Sequence, residues 1–113
     1  MKLTLTTTSS YYIIAVEGDV DASSSIELDN TLEELLQAQP PKHILVDCTD
    51  LQYISSPGIG VFTSRLEESE EKNIKIVLFG LNEKVFKVFR ILGLDTLMDL
   101  VQDLPAAQQT INL

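Results

Sequence analysis

Two adjacent serines in the middle of the chain have surroundings in which a hydroxyl group can carry a phosphate. Ser55 and Ser56 follow a strand-like apolar segment and precede Pro57 and Gly58, where an amphipathic pattern begins. Serine is favoured at a helix N-cap because its oxygen accepts a hydrogen bond from a first-turn N–H group, and proline suits the first helical position. The same N–H groups and the positive end of the helix dipole stabilise an added negative charge. The turn therefore predicts a helix start at which a phosphoserine is stable.

The same two serines also allow interpretations without phosphate. Ser55 and Ser56 can simply cap the helix, since capping serines are common. Alternatively, one of them can be the nucleophile of a small hydrolase, which needs a histidine base nearby. His43 is the only histidine and stands at the entrance to a buried strand, and neither serine lies in a Gly-x-Ser-x-Gly turn. We therefore expect His43 to be a strand-edge residue, and we expect no catalytic residues.

The sequence contains few residues that could bind a metal ion, form a disulfide or bind a nucleotide. Cys48 and His43 do not supply the ligand set of a zinc site, and the lone cysteine has no partner for an internal disulfide. Gly58-Ile59-Gly60 lacks the third glycine of a dinucleotide-binding loop, because Thr63 stands in its place. We expect no metal, no cofactor and a packed, inert Cys48.

The composition of the chain argues against some classes of binding partner and indicates the cellular compartment. Seventeen acidic and eight basic residues give a formal net charge of −9 at pH 7, which repels nucleic acids and anionic membranes. The apolar runs are far shorter than the roughly twenty residues of a membrane helix, and the N-terminus has no signal-peptide pattern. A length of 113 residues suits one domain. We expect a single cytoplasmic domain over residues 1–113 that binds neither nucleic acid nor membrane.

The apolar patterns predict strands alternating with helices. Alternating Leu3 and Leu5, followed by the run Tyr11–Val16, indicate an opening hairpin whose second strand breaks at Gly18. Further strands are indicated at 44–46 and 74–79, with a last short one at 97–101. Together with the helices between them, these strands predict an α/β fold with a mixed sheet of about five strands.

Capping residues define the predicted helices. The first helix has a capping box of Ser24 and Glu27 and a buried stripe of leucines, and it stops at Pro40-Pro41. The second begins at Pro57 and ends before Asn73. The third is capped by Asn82 and ends at Gly93, and a weaker fourth starts at Asp103. The apolar stripe predicted for the third helix consists of Val85, Val88, Phe89 and Leu92.

Taken in order, three segments of the chain resemble the STAS domain family, and more narrowly its stand-alone bacterial members, the anti-sigma factor antagonists. The segments are Gly18–Asp21 before a leucine-striped helix, Leu45–Asp47 before Tyr53–Ile59, and Asn82–Leu94. The resemblance covers nearly the whole chain and implies one STAS domain. It also implies a non-enzymatic protein that binds an anti-sigma factor and is released when one serine at a helix N-terminus is phosphorylated.

The family motif points to one of the two serines. Its acceptor lies two positions before the motif glycine, and counting back from Gly58 gives Ser56. Ser55 stands where the family usually has aspartate, which leaves it as a second candidate acceptor, and Pro57 removes one N–H group that would hold the phosphate. Asp21 and Asp47 match acidic positions of the family. The predicted partner-binding surface comprises Asp21, Asp47, Ser55, Ser56, Pro57 and Gly58.

The resemblance also implies the partners. They are an anti-sigma factor that is itself a serine kinase and brings the ATP, and a serine phosphatase that restores the hydroxyl. We expect the protein to be a monomer or a weak dimer. The alternative function is a scaffold or adaptor of the same fold that is never phosphorylated and acts outside sigma-factor control.

Overall fold

The computed structural model describes residues 1–112, which form a mixed six-stranded sheet with helices on both faces. The elements in chain order are β1 (Lys2–Thr7), β2 (Tyr11–Val20), α1 (Ser24–Gln37), β3 (His43–Asp47), β4 (Leu51–Ile54), α2 (Ser56–Glu71), β5 (Ile76–Phe79), α3 (Glu83–Ile91), β6 (Asp99–Val101) and α4 (Leu104–Ile111). A 3₁₀ turn over Leu94–Thr96 links α3 to β6. The predicted α/β class, the mixed sheet and the opening hairpin are confirmed.

The sheet has the order β1-β2-β3-β5-β6, with β1 antiparallel to β2 and the other pairs parallel. The sixth strand, β4, pairs with the second half of β2, beyond the part that pairs with β3. Its side chains do not alternate between buried and exposed, as those of a half-buried strand do. Leu51 and Ile54 are buried, and the two residues between them are both exposed. The sequence therefore predicts about five strands and misses this one.

Strand β2 is longer than predicted. It continues through Gly18 to Val20, and its register with β4 shifts between Gly18 and Asp19. Gly18 has a φ of +86°, which only glycine adopts without strain, so the residue bends the strand and does not end it. The extension carries β2 past β3 and up to the start of α2.

Each face of the sheet buries its own set of apolar side chains. Helices α1, α2 and α3 cover one face, where the predicted leucine stripe of α1 is confirmed. Helix α4 covers the other face and packs Ala107 against Leu45, Val77 and Phe79. No helix among residues 1–112 combines the length and the apolar character needed to cross a bilayer.

The predicted apolar stripe of α3 is only half correct. Val85 and Phe89 are buried, whereas Val88 is 38% exposed and Leu92 is 56% exposed. Each exposed residue follows a buried one by three positions, which turns it about 60° around the helix axis and beyond the cover of the sheet. Helix α3 therefore has an apolar surface that faces solvent.

Candidate functional site

Helices α1 and α2 begin side by side, where β2 and β4 end. Val20 is in register with Ile54, and the Ser55 N–H group donates to the Val20 carbonyl at 2.8 Å. Asp21 directly follows Val20, and Ser56 directly follows Ser55. The fold thus brings together two of the predicted site residues that lie far apart in sequence.

Ser55 is the N-cap of α2. Its half-buried side chain accepts a hydrogen bond from the Gly58 N–H group at 3.2 Å. Its carbonyl accepts from the Ile59 N–H group at 3.0 Å and closes the first helical turn. The predicted helix start is confirmed, and the Ser55 Oγ atom stabilises it through the hydrogen bond from Gly58.

Ser56 is the first residue of α2, and its side chain is exposed. Within residues 1–112, neither its hydroxyl group nor its backbone N–H group makes a hydrogen bond. Pro57 contributes no N–H group, and the next two N–H groups are bonded to Ser55. The Ser56 N–H group and the helix dipole are therefore what this end of α2 offers to an anion.

Gly58 is buried and lets α2 approach the sheet closely. A Cβ atom at this position would lie 2.8 Å from Ile54 Cγ1 and 2.8 Å from Val20 Cγ1. The place of Gly58 in the predicted partner-binding set therefore rests on how it positions Ser56, because it presents almost no surface of its own. Gly60, two residues later and about half a turn around the helix on the exposed side, has open space around it.

Asp21 caps α1 with a carboxylate. Its Oδ1 atom accepts from the Ser24 N–H group at 2.8 Å and from the Ser23 and Ser24 hydroxyl groups at 2.9 Å each. The Asp21 N–H group donates in return to Ser24 Oγ at 2.9 Å. The reciprocal capping box is thus formed by Asp21 and Ser24, one turn earlier than the predicted pair of Ser24 and Glu27. Hydrogen bonds from Ser24 and then Ser23 lower the pKa of Asp21 to about 2.

Asp47 lies away from the two helix starts. It pairs with Ala15, six residues before Asp21 on β2, which is roughly 20 Å along a strand. Its Oδ1 atom accepts from the Thr49 N–H group at 3.0 Å and from the Thr49 hydroxyl group at 2.6 Å. Asp47 ends β3 as predicted and closes the following turn, so the structure does not bring it to Ser56.

His43 lies near the opposite end of β2. It pairs with Tyr11, nine residues before Val20, or about 30 Å along the strand. Its Nδ1 atom accepts from the Lys75 N–H group at 2.9 Å, and burial followed by the charge of Lys75 lowers its pKa. The prediction of a strand-edge histidine is confirmed, and neither serine has this base within reach.

Cys48 is fully buried in the core. Burial and, to a lesser degree, the charge of Asp47 raise the pKa of its thiol. A thiol without thiolate character in a closed environment is unreactive. The predicted packed cysteine is confirmed.

A groove between α1 and α2 adjoins Ser56, and the sequence did not predict it. It has a volume of about 280 Å³ and is lined in part by Ile26, Pro57 and Gly60. Ile26 is 64% exposed, opposite the leucine stripe of its helix. An isoleucine on the polar face of a predicted helix is the signal that could have found it. Arg65 of α2 fixes the two helices by donating from Nε to Asp29 of α1 at 2.8 Å.

A model of the STAS domain family matches residues 2–107. The chain belongs to the STAS domain family, as the sequence resemblance predicts. It is 30% identical to the anti-sigma-B factor antagonist of Listeria monocytogenes over 87 residues, which are 77% of this chain and 75% of that protein. It is 26% identical to the anti-sigma-B factor antagonist of Staphylococcus aureus over 98 residues, 87% of this chain and 90% of that protein.

Solved structures share the fold at low sequence identity. A candidate anti-sigma factor antagonist from Thermotoga maritima has a TM-score of 0.89 at 18% identity, covering 98% of this chain and 95% of that one. The anti-sigma factor antagonist SpoIIAA in its unphosphorylated form has a TM-score of 0.76 at 16% identity, covering 99% and 100%. Phosphorylated SpoIIAA of Bacillus has a TM-score of 0.74 at 19% identity, covering 96% and 99%. These likenesses show the common fold.

Proposed function

We propose that this chain is an anti-sigma factor antagonist that works as a binding switch, with Ser56 as the phosphate acceptor. Unphosphorylated, it binds an anti-sigma factor that is also a serine kinase, and phosphorylated it is released. Its relatives in Listeria and Staphylococcus carry the name of this function. The observation that supports Ser56 is its exposed, unbonded hydroxyl at the start of α2.

The two serines differ in what phosphorylation costs. The Ser55 oxygen accepts from the Gly58 N–H group, and losing a serine N-cap typically costs about 1 kcal/mol. A phosphate on Ser55 also crowds a half-buried position. The Ser56 hydroxyl makes no such bond, so its phosphorylation breaks no hydrogen bond within residues 1–112.

The partner kinase catalyses the transfer of the phosphoryl group. A serine hydroxyl is a weak nucleophile, and the only histidine lies about 30 Å from Ser56 along β2. We propose that this chain is a substrate and not an enzyme. The kinase positions ATP and magnesium, and Ser56 Oγ attacks the γ-phosphorus as ADP leaves and a kinase base takes the proton. A serine phosphatase hydrolyses the ester, and use of ATP places the cycle in the cytoplasm.

The phosphate acts on the interface more than on the fold. It adds nearly two negative charges at a helix N-terminus, where the dipole stabilises them. In a packed interface the same charges must be desolvated close to Asp21, which is ionised at neutral pH. A penalty of about 3 kcal/mol weakens binding roughly a hundredfold, which is sufficient for a switch.

The proposal is tested by calorimetry against a purified anti-sigma kinase from the same organism. We expect Ser56→Ala to bind like the unmodified protein even after incubation with ATP, and Ser56→Asp to bind far more weakly. Ser55→Ala is the matched control and should still lose its affinity once it is phosphorylated. Equal affinities of Ser56→Ala and Ser56→Asp contradict the switch and favour the unphosphorylated scaffold.

A further inference from the structure

The groove between α1 and α2 lies next to the proposed acceptor and has room for a side chain of another protein. Pro57, which directly follows Ser56, lines it together with Gly60 and Val61 of the same helix. Its volume of about 280 Å³ far exceeds the roughly 30 Å³ that one water molecule occupies in the liquid. A kinase that reaches the Ser56 hydroxyl group therefore also faces the groove.

The groove combines an exposed apolar side chain with an open hollow. Ile26 lines it and is 64% exposed, although the leucines of the same helix are buried. A single exposed isoleucine is ordinary, but this one shares the groove with a residue that has no side chain. A Cβ atom at Gly60 would meet nothing within 4 Å. An apolar side chain of a partner can therefore fill the hollow and bury Ile26 at the same time.

The charges around the groove favour a cationic partner. Residues 19–34 and 55–66 contain six carboxylates and one cation, a net −5. The cation, Arg65, is already paired with carboxylates of α1 and α2. Glu27 and Glu34 have no cation within 4.0 Å in residues 1–112. A second copy of this acidic chain would be repelled here, whereas a segment that carries lysine or arginine is attracted.

We propose that the groove takes an apolar side chain of the anti-sigma kinase, carried on a segment whose cations face Glu27 and Glu34. The inference rests on the proposed function, because it names what the kinase brings to the surface beside Ser56. Glu27 and Glu34 are seven positions apart, about two helical turns, so they lie on one side of α1. The apolar side chain contacts Ile26 and Pro57, and the cations lie along α1 beside it.

This arrangement gives a physical reason why phosphate at Ser56 opposes binding. Pro57 is part of the groove wall and is the next residue after Ser56. An apolar group seated against Pro57 removes water from the neighbouring position. A phosphate there loses hydration, while the cations of the kinase are occupied by the carboxylates of α1.

Calorimetry of the full chain against the purified anti-sigma kinase, without ATP, tests the groove. Ile26→Ser should raise the dissociation constant at least about tenfold, because it removes the apolar contact. Gly60→Leu should have a similar effect, because its side chain fills the hollow. Ile91→Ser is the matched control, since Ile91 is 72% exposed but lies on α3. It should leave the dissociation constant unchanged.

Gly60→Leu also separates weaker docking from weaker folding. Its side chain enters open space, and leucine favours a helix more than glycine does. Urea denaturation should therefore show a fold at least as stable as that of the unmodified chain. Weaker binding by a protein of undiminished stability then has its cause in the filled groove. Binding as tight as that of the unmodified chain in both Ile26→Ser and Gly60→Leu overturns the proposal.

Salt dependence tests the cationic segment. Raising sodium chloride from about 50 to 500 mM should weaken kinase binding, because the added ions screen the charges on α1. The double variant Glu27→Gln and Glu34→Gln should bind more weakly at low salt and depend less on salt. An affinity that does not change with salt overturns this part of the proposal.

The behaviour of Ser56→Asp separates this inference from the proposed function. Weak binding by Ser56→Asp with normal binding by Ile26→Ser supports the switch and overturns the docking groove. The reverse pattern supports the groove and contradicts release by phosphorylation. A chain that does not bind the kinase at all overturns both.

Discussion

Helices α1 and α2 begin next to each other, but the N-terminus of α1 contains a negative charge and the N-terminus of α2 does not. The α1 terminus contains the Asp21 carboxylate, which three hydrogen bonds from Ser23 and Ser24 hold in place. The α2 terminus has the neutral cap Ser55, followed by the exposed Ser56. One terminus is permanently neutralised by a resident charge, and the other remains able to receive one.

Under the proposed function, this difference separates a structural residue, Asp21, from a regulatory one, Ser56. Both termini attract an anion through the positive end of a helix dipole, and α2 adds the Ser56 N–H group, which makes no hydrogen bond within residues 1–112. Asp21 satisfies that attraction at all times above its lowered pKa. Under the proposed switch, Ser56 satisfies it only when a kinase has added the phosphate, so the α2 terminus would report the action of a partner.

The largest expected effect on the fold comes from the glycines of α2. Gly58→Ala places a Cβ atom 2.8 Å from buried Ile54 and Val20 atoms, and such overpacking costs about 1–3 kcal/mol of unfolding free energy. Gly60→Ala is the matched control, since its Cβ meets nothing within 4 Å, and removing a helical glycine stabilises by roughly 0.5–1 kcal/mol. Urea denaturation measures both. A neutral Gly58→Ala would show that α2 does not need this close approach.

A smaller effect is expected from the charge that caps α1. The folded-state pKa of Asp21 is lowered from 3.8 to about 2, so its ionised form stabilises the fold above the higher value and loses that contribution as the pH falls towards the lower one. Asp21→Asn keeps a good capping residue but removes the charge. The stability difference between the two proteins should be constant from pH 5 to 7 and shrink from pH 4 to 2. A difference independent of pH contradicts the charged cap.

Local hydrogen bonding is what the sequence predicts best. The start of α2 at the two serines, the Asn82 cap of α3 and the end of that helix at Gly93, where φ is +74°, are all confirmed. Each depends on residues within one turn of one another, so the sequence contains the whole interaction. The capping box of α1 is the exception, because Asp21 bonds to the Ser24 N–H group and to Ser24 Oγ, the two groups that the predicted pair of Ser24 and Glu27 would use.

Strand pairing is what the sequence does not contain. Asp21 and Asp47 both follow apolar strands, yet β3 pairs with the first half of β2 and β4 with the second half. These two pairings place Asp47 far from Ser56 and place Asp21 beside Ser56. The exposure of Val88 and Leu92 has the same origin, since it depends on where the sheet stops beneath α3.

The central claim is that Ser56, and not its neighbour, accepts the phosphate. Incubation of the protein with the purified anti-sigma kinase and ATP, followed by mass-spectrometric mapping of the modified residue, tests it most directly. We expect one phosphate on Ser56, an unchanged yield for Ser55→Ala and none for Ser56→Ala. Phosphate on Ser55, or an unmodified protein after incubation with a kinase that binds it, contradicts the account.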